Sequence, residues 1–240
     1  MTRIACDIVF LDAGMTLIHP MPEFHEGILH VLNENGHPFK LEDIKQHARA
    51  AINNLITQIM GGRRYAVSDE ADREFWADVY EGLMRDLGLD GDARDVGVSI
   101  YDFYRQEHSF DLFEDTLPAL QSLRARGFRL GVISNFSTIL EDVFIHRGIR
   151  DYFDPFIVSA AENCMKPDVA IYELALRRAG ADPARAVMVG DNPMDDVHGA
   201  QAAGVTPILI DRFDRVSEPV PTRIKSLLEL VDILESGHPA

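Results

Sequence analysis

Three short polar motifs each close an apolar run. Asp12 follows Ile4 to Leu11 and opens Asp12-Ala13-Gly14-Met15-Thr16; Ser134-Asn135-Phe136-Ser137 follows Phe128 to Ile133; Gly190-Asp191-Asn192-Pro193-Met194-Asp195-Asp196 follows Ala186 to Val189. A fourth, Met165-Lys166-Pro167-Asp168, precedes a helical pattern. In an open α/β sheet, ligands bind beyond the carboxyl ends of the strands, near the point where strand order reverses. One carboxylate at a strand tip is an ordinary turn residue. Carboxylates, a hydroxyl, an amide and an amine converging on one edge are the makings of a site for a polar ligand.

The elements that must carry these motifs can be read from periodicity. The three apolar runs are rich in β-branched residues and read as buried strands, with weaker candidates at Phe156 to Ser159 and Thr206 to Ile210. Helical patterns lie between them: Leu117 to Arg126, Ser137 to His146, the spacing of Ile171, Leu174 and Ala175, and finally Ile224, Leu227, Leu228 and Val231. This alternation predicts an α/β fold, a doubly wound parallel sheet with helices on both faces. From about Pro20 to Gln106 the rhythm breaks. Leu41, Ile44, Ala48, Ile52, Leu55 and Ile59 form one apolar stripe, and Trp76, Val79, Leu83 and Leu87 another. The segment predicts a helical insertion that leaves after the first strand and returns near Phe110-Asp111-Leu112-Phe113, so its two junctions should be neighbours. The expected division is a core over residues 1–17 and 111–240 and a helical cap over 18–110, with Gly61-Gly62-Arg63-Arg64-Tyr65 turning between the two best cap helices.

Composition narrows the class of ligand. The chain has 240 residues, 46% hydrophobic and 26% charged, which excludes disorder and collagen. Lys plus Arg number 23 and Asp plus Glu 39, a net charge of −16 that repels phosphate backbones and disfavours nucleic acid and polybasic membrane docking as partners. An anionic substrate would need local cations. Asp7 interrupts the first apolar run too early for a signal peptide, and no stretch approaches the roughly 20 apolar residues of a membrane span. Cys6 and Cys164 lie far apart and fit no metal spacing, which suits a reducing cytoplasm. The nine histidines form no metal-ligand pattern, and His19 and His25 are notable only for following the Asp12 loop. The sequence carries no sign of oligomeric state.

The four motifs together resemble the haloacid dehalogenase superfamily, whose hydrolases carry an Asp nucleophile after strand one, a Ser or Thr after strand two, a Lys, and a last acidic GDxxxxD motif. The likeness is most specific from Val132 to Ile210 and includes Gly199-Ala200 after Asp196; the helical insertion matches members with a small α-helical cap, and the tone is closest to the haloacid dehalogenase-like hydrolase domain-containing subgroup. The resemblance implies a phosphatase acting on a small phosphorylated metabolite through an aspartyl phosphate on Asp12. It implies Mg²⁺ held by Asp12, Asp191 and the main-chain carbonyl of Gly14, with Lys166 as a second positive charge. Ser134, the amide of Asn135 and Thr16 would hold phosphoryl oxygens, the first two at a helix N-terminus. Asp196 would position Lys166 or metal-bound water. The cap loop at Arg63 and Arg64 is where such proteins read their substrates.

The family's phosphatases usually read DxD, and the second Asp, which protonates the leaving group, is Gly14 here. The loss concerns a general acid worth about 10²- to 10⁴-fold in rate. Met15 also departs, standing where Gly is usual. Three explanations remain open: a substrate with a good leaving group or a donor elsewhere such as a cap histidine; dehalogenase- or phosphonatase-like cleavage, the latter needing a cap lysine for which Lys40 and Lys45 are the candidates; or a catalytically silent binding or regulatory protein. The acidic pair Asp191 and Asp196 weighs against dehalogenation. Simpler roles are expected elsewhere: Asp195 as a first-turn charge on a helix dipole, Pro167 as a helix-starting residue, Trp76 as cap core, and Cys164 as a structural thiol.

Overall fold

The computed structural model describes residues 4–48 and 64–236. In chain order the strands are β1 (Ile4–Cys6), β2 (Ile8–Leu11), β3 (Ile18–Pro20), β4 (Phe110–Leu112), β5 (Arg129–Ser134), β6 (Phe156–Val158), β7 (Ala186–Gly190), β8 (Thr206–Ile210), β9 (Arg223–Ile224) and β10 (Leu234–Ser236). The helices are α1 (Phe24–Glu34), α2 (41–48), α3 (Asp69–Asp86), α4 (Ala93–Phe103), α5 (Thr116–Ala125), α6 (Leu140–His146), α7 (Ser159–Glu162), α8 (Val169–Ala179), α9 (Gly199–Ala202) and α10 (Leu230–Ile233). None of the described helices is long and apolar enough to cross a membrane.

Six strands form one parallel sheet in the order β6-β5-β2-β7-β8-β9. Its strands are apolar on both faces because both faces are covered. Val9 and Leu11 of β2, Leu130 and Val132 of β5 and Val187 and Val189 of β7 pack toward α5 and α6, whereas Ile8, Phe10, Ile133 and Met188 pack toward α8 and α9. The chain builds outward from β2 through β5 and β6 on one side, then crosses to β7, β8 and β9 on the other. Strand order therefore reverses at β2, with Leu11 paired to both Val132 and Val189. This register brings the carboxyl ends of β2, β5 and β7 to one level.

Three local expectations need correction. The run Ile4 to Leu11 is two strands, not one: β1 pairs with β10, and only β2 joins the main sheet. The break falls at Asp7, whose carboxylate takes two bonds from the Arg185 guanidinium, at 2.6 and 2.7 Å, so its side chain is committed to an ion pair and not to the core. The stripe from Ile224 to Val231 is not one helix either. Ile224 ends β9, and Ser226 with Glu229 forms a capping box that starts a short helical turn only at Leu227. Likewise the helix expected from Ser137 begins at Leu140.

The segment between β2 and α5 carries two strands that periodicity missed. β3 and β4 are three residues each and pair antiparallel, Ile18 opposite Leu112, as the two connections into and out of the helical segment. Between them α1, α3 and α4 share a core of their own that includes Ile28, Leu32, Leu83, Val96 and Ile100, with Ile44 of α2 joining it. The outer part of the first predicted stripe, Ile52 to Ile59, and the Gly61 to Arg63 turn lie outside the described residues. Helix α3 starts where sequence chemistry says it can: Ser68 accepts the amide of Ala71 at 3.1 Å, and Asp69, Glu70 and Asp72 load its positive end.

Two contacts dock this helical unit on the sheet unit. Met165 from the core side packs into the cluster of Tyr65, Phe75 and Val79. The Asp69 carboxylate accepts from both the amide (2.8 Å) and the hydroxyl (2.5 Å) of Thr138, beyond β5, and from Arg105 at 3.0 Å. Burial would raise the Asp69 carboxyl, but those donors hold it below its ordinary value. A group with a depressed folded-state value contributes above the carboxylate range and loses its contribution as pH falls through that value. Asp69→Ala is therefore expected to weaken docking by about 1 kcal/mol, roughly a fivefold rise in the undocked population. Limited proteolysis at the β3 and β4 connections reads this directly, and the wild type should show the same rise on acidification below about pH 4. An unchanged cleavage rate in the variant would remove Asp69 from cap docking.

Candidate active site

Asp12 is fixed by the end of β2. Its amide bonds the carbonyl of Val189 at 2.8 Å, which extends the ladder one residue beyond the strand. Its Oδ1 accepts from the Ser134 hydroxyl at 3.0 Å and from the Lys166 ammonium at 2.7 Å. No bond to its other oxygen is found among the described residues. The loop then turns sharply: Leu17 and Ile18 both donate to the carbonyl of Ala13, and Met15 takes the left-handed conformation with φ 57°. That angle explains why glycine suits position 15, since a side chain there costs about 1–2 kcal/mol.

Lys166 is 2% exposed and lies between two carboxylates, donating to Asp12 and, at 2.5 Å, to Asp196. Asn135 holds it from the main-chain side. The Asn135 side chain accepts from the Lys166 amide at 2.8 Å and donates to the Lys166 carbonyl at 2.9 Å. The Lys166-Pro167 peptide is cis, and α8 begins two residues later behind an Asp168 cap. Pro167 thus precedes the helix and does not occupy its first turn. Ser134 and Asn135 do not sit at a helix N-terminus either. Phe136 is drawn against Phe110, with ring centres 5.3 Å apart, and the helix is postponed to Leu140.

After β7 the chain enters a π-helical turn, Pro193–His198, capped by the Asn192 side chain through the amides of Met194 (2.9 Å) and Asp195 (3.2 Å). The turn carries Asp196 back under the strand end, where its carboxylate accepts the Asn192 amide. A Cβ on Gly190 would lie 2.1 Å from an Asp196 carboxylate oxygen, so only glycine admits that approach. Asp195 does more than load a helix dipole. It is buried, its carboxylate accepts from Asn135 at 3.2 Å, and its carbonyl accepts the Tyr172 hydroxyl.

The charges of this edge are strongly coupled. Asp12, Asp191 and Asp196 each offer an oxygen within 4.8 Å of the others. Burial, then the neighbouring Asp12 and Asp196 charges, push the half-buried Asp191 well above the usual carboxylate range. Burial also raises Asp196 to about 7 against the pull of Lys166, and Asp195 to about 6. Lys166 is held charged: burial opposes its ammonium, but Asp12 and Asp196 overcome that and raise it well above its ordinary value. Three carboxylates facing one ammonium are short of positive charge, and the oxygen-only donor set suits a hard divalent cation.

A cavity of about 400 Å³ opens from this floor into the helical unit. Asp12, Gly14, Ser134, Asn135, Lys166, Asp191 and Asp196 line it together. Thr16, expected to hold a phosphoryl oxygen, is fully buried and does not line the cavity, and its hydroxyl has no hydrogen-bond partner among the described residues. Arg64 is exposed, does not line the cavity and lies near Cys164; Arg63 falls outside the described residues. Burial pushes the Cys164 thiol up, in keeping with a structural role. His19 bonds the Pro20 carbonyl and packs on Phe113, and neither it nor His25 lines the cavity. Lys40 and Lys45 are exposed and do not line it. Sequence reading missed the cap lining: Tyr65, Asp72, Trp76, Tyr101 and Arg105. Of these only Tyr65 lay in a suspected loop; Trp76, expected as core, is half-buried at the cavity wall.

The chain matches a family model described as haloacid dehalogenase-like hydrolase over residues 6–204. It is 33% identical to haloacid dehalogenase-like hydrolase domain-containing protein 3 of Mus musculus over 178 residues, 70% of this chain and 71% of that one. It is 42% identical to the glyceraldehyde 3-phosphate phosphatase of Methanothermobacter thermautotrophicus over 100 residues, 41% of this chain and 44% of that protein. The crystal structure of the HAD-hydrolase YfnB of Bacillus subtilis superposes with a TM-score of 0.80 at 16% identity, covering 98% and 99% of the two chains.

The glycine behind the acidic turn gives a direct test of this geometry. Gly190→Ala forces Asp196 away from the strand end and is expected to cost about 1–3 kcal/mol in urea unfolding, the usual penalty of overpacking. Calorimetric titration with Mg²⁺ should then give weaker binding than in the wild type. Unchanged unfolding and ion binding would mean that the approach of Asp196 is not required.

Proposed function

The chain belongs to the haloacid dehalogenase-like hydrolase family, and on that premise we propose that it is a Mg²⁺-dependent phosphatase of a small phosphorylated metabolite, with Asp12 as nucleophile. The observation that carries this reading is the floor itself: Asp12, Lys166 and two further carboxylates within one cluster. The relative named a glyceraldehyde 3-phosphate phosphatase supports a small phosphorylated metabolite as the substrate class. Asp12 and Asp191, with the Gly14 carbonyl that the family uses, would hold Mg²⁺, and Asp196 is near enough to contribute. Bound there, the ion supplies the positive charge that lets a carboxylate meet an anionic phosphoryl group.

The remaining steps belong to the chain. An Asp12 oxygen attacks phosphorus, the bond to the leaving oxygen breaks, and an aspartyl phosphate forms. Water then attacks that phosphorus, releasing phosphate and restoring the carboxylate. Lys166 stays charged throughout and offsets the negative charge that gathers on the phosphoryl oxygens. Ser134 rests on Asp12 in the free protein and can turn to a phosphoryl oxygen. Asn135 acts one step back, through its grip on Lys166. Gly14 supplies no acid for the leaving group, so substrates that leave without protonation, such as acyl phosphates, are favoured. The acidic floor, together with the absence of Lys40 and Lys45 from the cavity lining, favours this chemistry over halide or Schiff-base phosphonate cleavage.

Position 14 has room: a Cβ built there meets nothing within 4 Å. Gly14→Asp is expected to raise turnover of alkyl phosphates by about 10²- to 10⁴-fold while changing acetyl phosphate turnover little. Asp12→Asn should abolish phosphate release from acetyl phosphate, and chelation of divalent ions should do the same reversibly. Phosphate release that survives both would refute the reading, and Mg²⁺-independent chloride release from 2-chloropropionate would replace it with dehalogenation.

A further inference from the structure

The half of the cavity away from Asp12 has a different chemistry from the floor. Phe24, Trp76, Tyr80, Tyr101 and Tyr104 line it, and among them one carboxylate, Asp72, faces the space at 6% exposure. Asp72 lies in the first turn of α3 and accepts the Tyr101 hydroxyl at 3.0 Å. Burial pushes its carboxyl up to about 6, against the hydrogen bonds of Tyr101 and Trp76 and the charge of Arg105, so most of it is still ionised at neutral pH. A buried carboxylate in an apolar wall needs a positive partner.

Arg105 lines the same wall but is already committed. It bonds Asp69 at 3.0 Å, and that carboxylate in turn docks on Thr138. Arg105 is hydrogen-bonded to Asp69 and not to Asp72, so Asp72 feels that charge only at longer range and can take a closer cation in its aromatic chamber. Aromatic rings carry negative π faces and accept cations without demanding hydrogen bonds. An anion placed here would meet Asp72 and the acidic floor together.

We infer that the cap half of the cavity is a receptor for an ammonium group, held between Asp72 and the surrounding aromatic rings, so that the phosphorylated compound presented to Asp12 carries a cationic amine. The phosphoryl end of this inference rests on the phosphatase reading; the ammonium end does not.

The protein's single tryptophan, Trp76, stands in the wall and reports occupancy without turnover. Choline, which carries no phosphate, is titrated by calorimetry and Trp76 fluorescence against 3,3-dimethylbutan-1-ol, its uncharged isostere. Choline is expected to bind about tenfold more tightly or better, and Asp72→Asn should bring the two ligands level. Equal or weaker choline binding in the wild type overturns the inference whether or not the variant folds. So does tighter binding of glycolate, which would give the wall to Arg105. Phosphate release from acetyl phosphate by the wild type, and from O-phosphoethanolamine and propyl phosphate by the Gly14→Asp variant, which can protonate an alkyl leaving group, then separates the two readings. Choline binding with no phosphate released from any of the three leaves the receptor standing and removes the phosphatase; hydrolysis of both esters at equal kcat/KM removes the receptor alone.

Discussion

The Lys166 ammonium, shut away from water between Asp12 and Asp196, is the interaction on which this protein is built. Removing one partner from such a buried set typically costs about 3–5 kcal/mol, because the charges left behind have no water to turn to. Much of the surrounding structure keeps that set in place. Asn135 fixes the Lys166 backbone from the β5 side, the Tyr172 hydroxyl fixes Asp195 from α8, and Gly190 leaves the gap through which Asp196 arrives. Gly199 serves the same packing, since a Cβ there would lie 2.8 Å from the Tyr172 hydroxyl and 3.0 Å from Pro167. Four separate stretches of chain therefore meet around one positive charge.

The loop that carries Asp12 is anchored from a distant part of the sequence. Arg212 donates to the Thr16 carbonyl at 2.7 Å, grips Asp115 with two bonds and stacks 4.0 Å over the Phe113 ring. Asp115 also accepts from Ser226 and the Leu227 amide, and the Thr116 hydroxyl bonds the Leu17 carbonyl. Burial would raise the Asp115 carboxyl, but Arg212 and Ser226 hold it below its ordinary value, so the network stays ionised at neutral pH. The left-handed Met15 sits inside this frame, and the frame over-determines the strained residue.

Much of this was legible in the sequence because its signals are short-range. Buried strands announce themselves as continuous apolar runs, and a polar residue ending such a run lies at a sheet edge whatever the tertiary detail; Asp12, Ser134 and Asp191 were found that way. What escaped depends on partners far along the chain. Asp7 divides the first strand only because Arg185 lies opposite, and the helix after Ser134 is delayed because Asn135 and Phe136 are held by Lys166 and Phe110. β3 and β4 are too short to show a period of two and exist through each other. The cap wall was hidden for the same reason. An aromatic residue at helical spacing looks alike in a sequence whether it faces its own helical unit or a cavity shared with another, and Trp76 does both.

The floor and the cap also divide the work by rigidity. Floor residues come from the ends of paired strands, where main-chain bonds fix their positions. The cap contributes through a helix whose first turn holds both docking and chamber charges: Asp69 reaches Thr138, and Asp72, three residues on, reaches the cavity. Residues three apart share a helix face, so the two carboxylates move as one body. Arg105 stands beside both and is drawn to Asp69 when that carboxylate is docked on Thr138. Were the cap to lift, Asp69 would lose its Thr138 donors but not Arg105, since both lie in the helical unit, and its hold on that arginine would tighten. Docking on Thr138 and the charge around Asp72 therefore meet at one arginine, which stays with Asp69 in either arrangement.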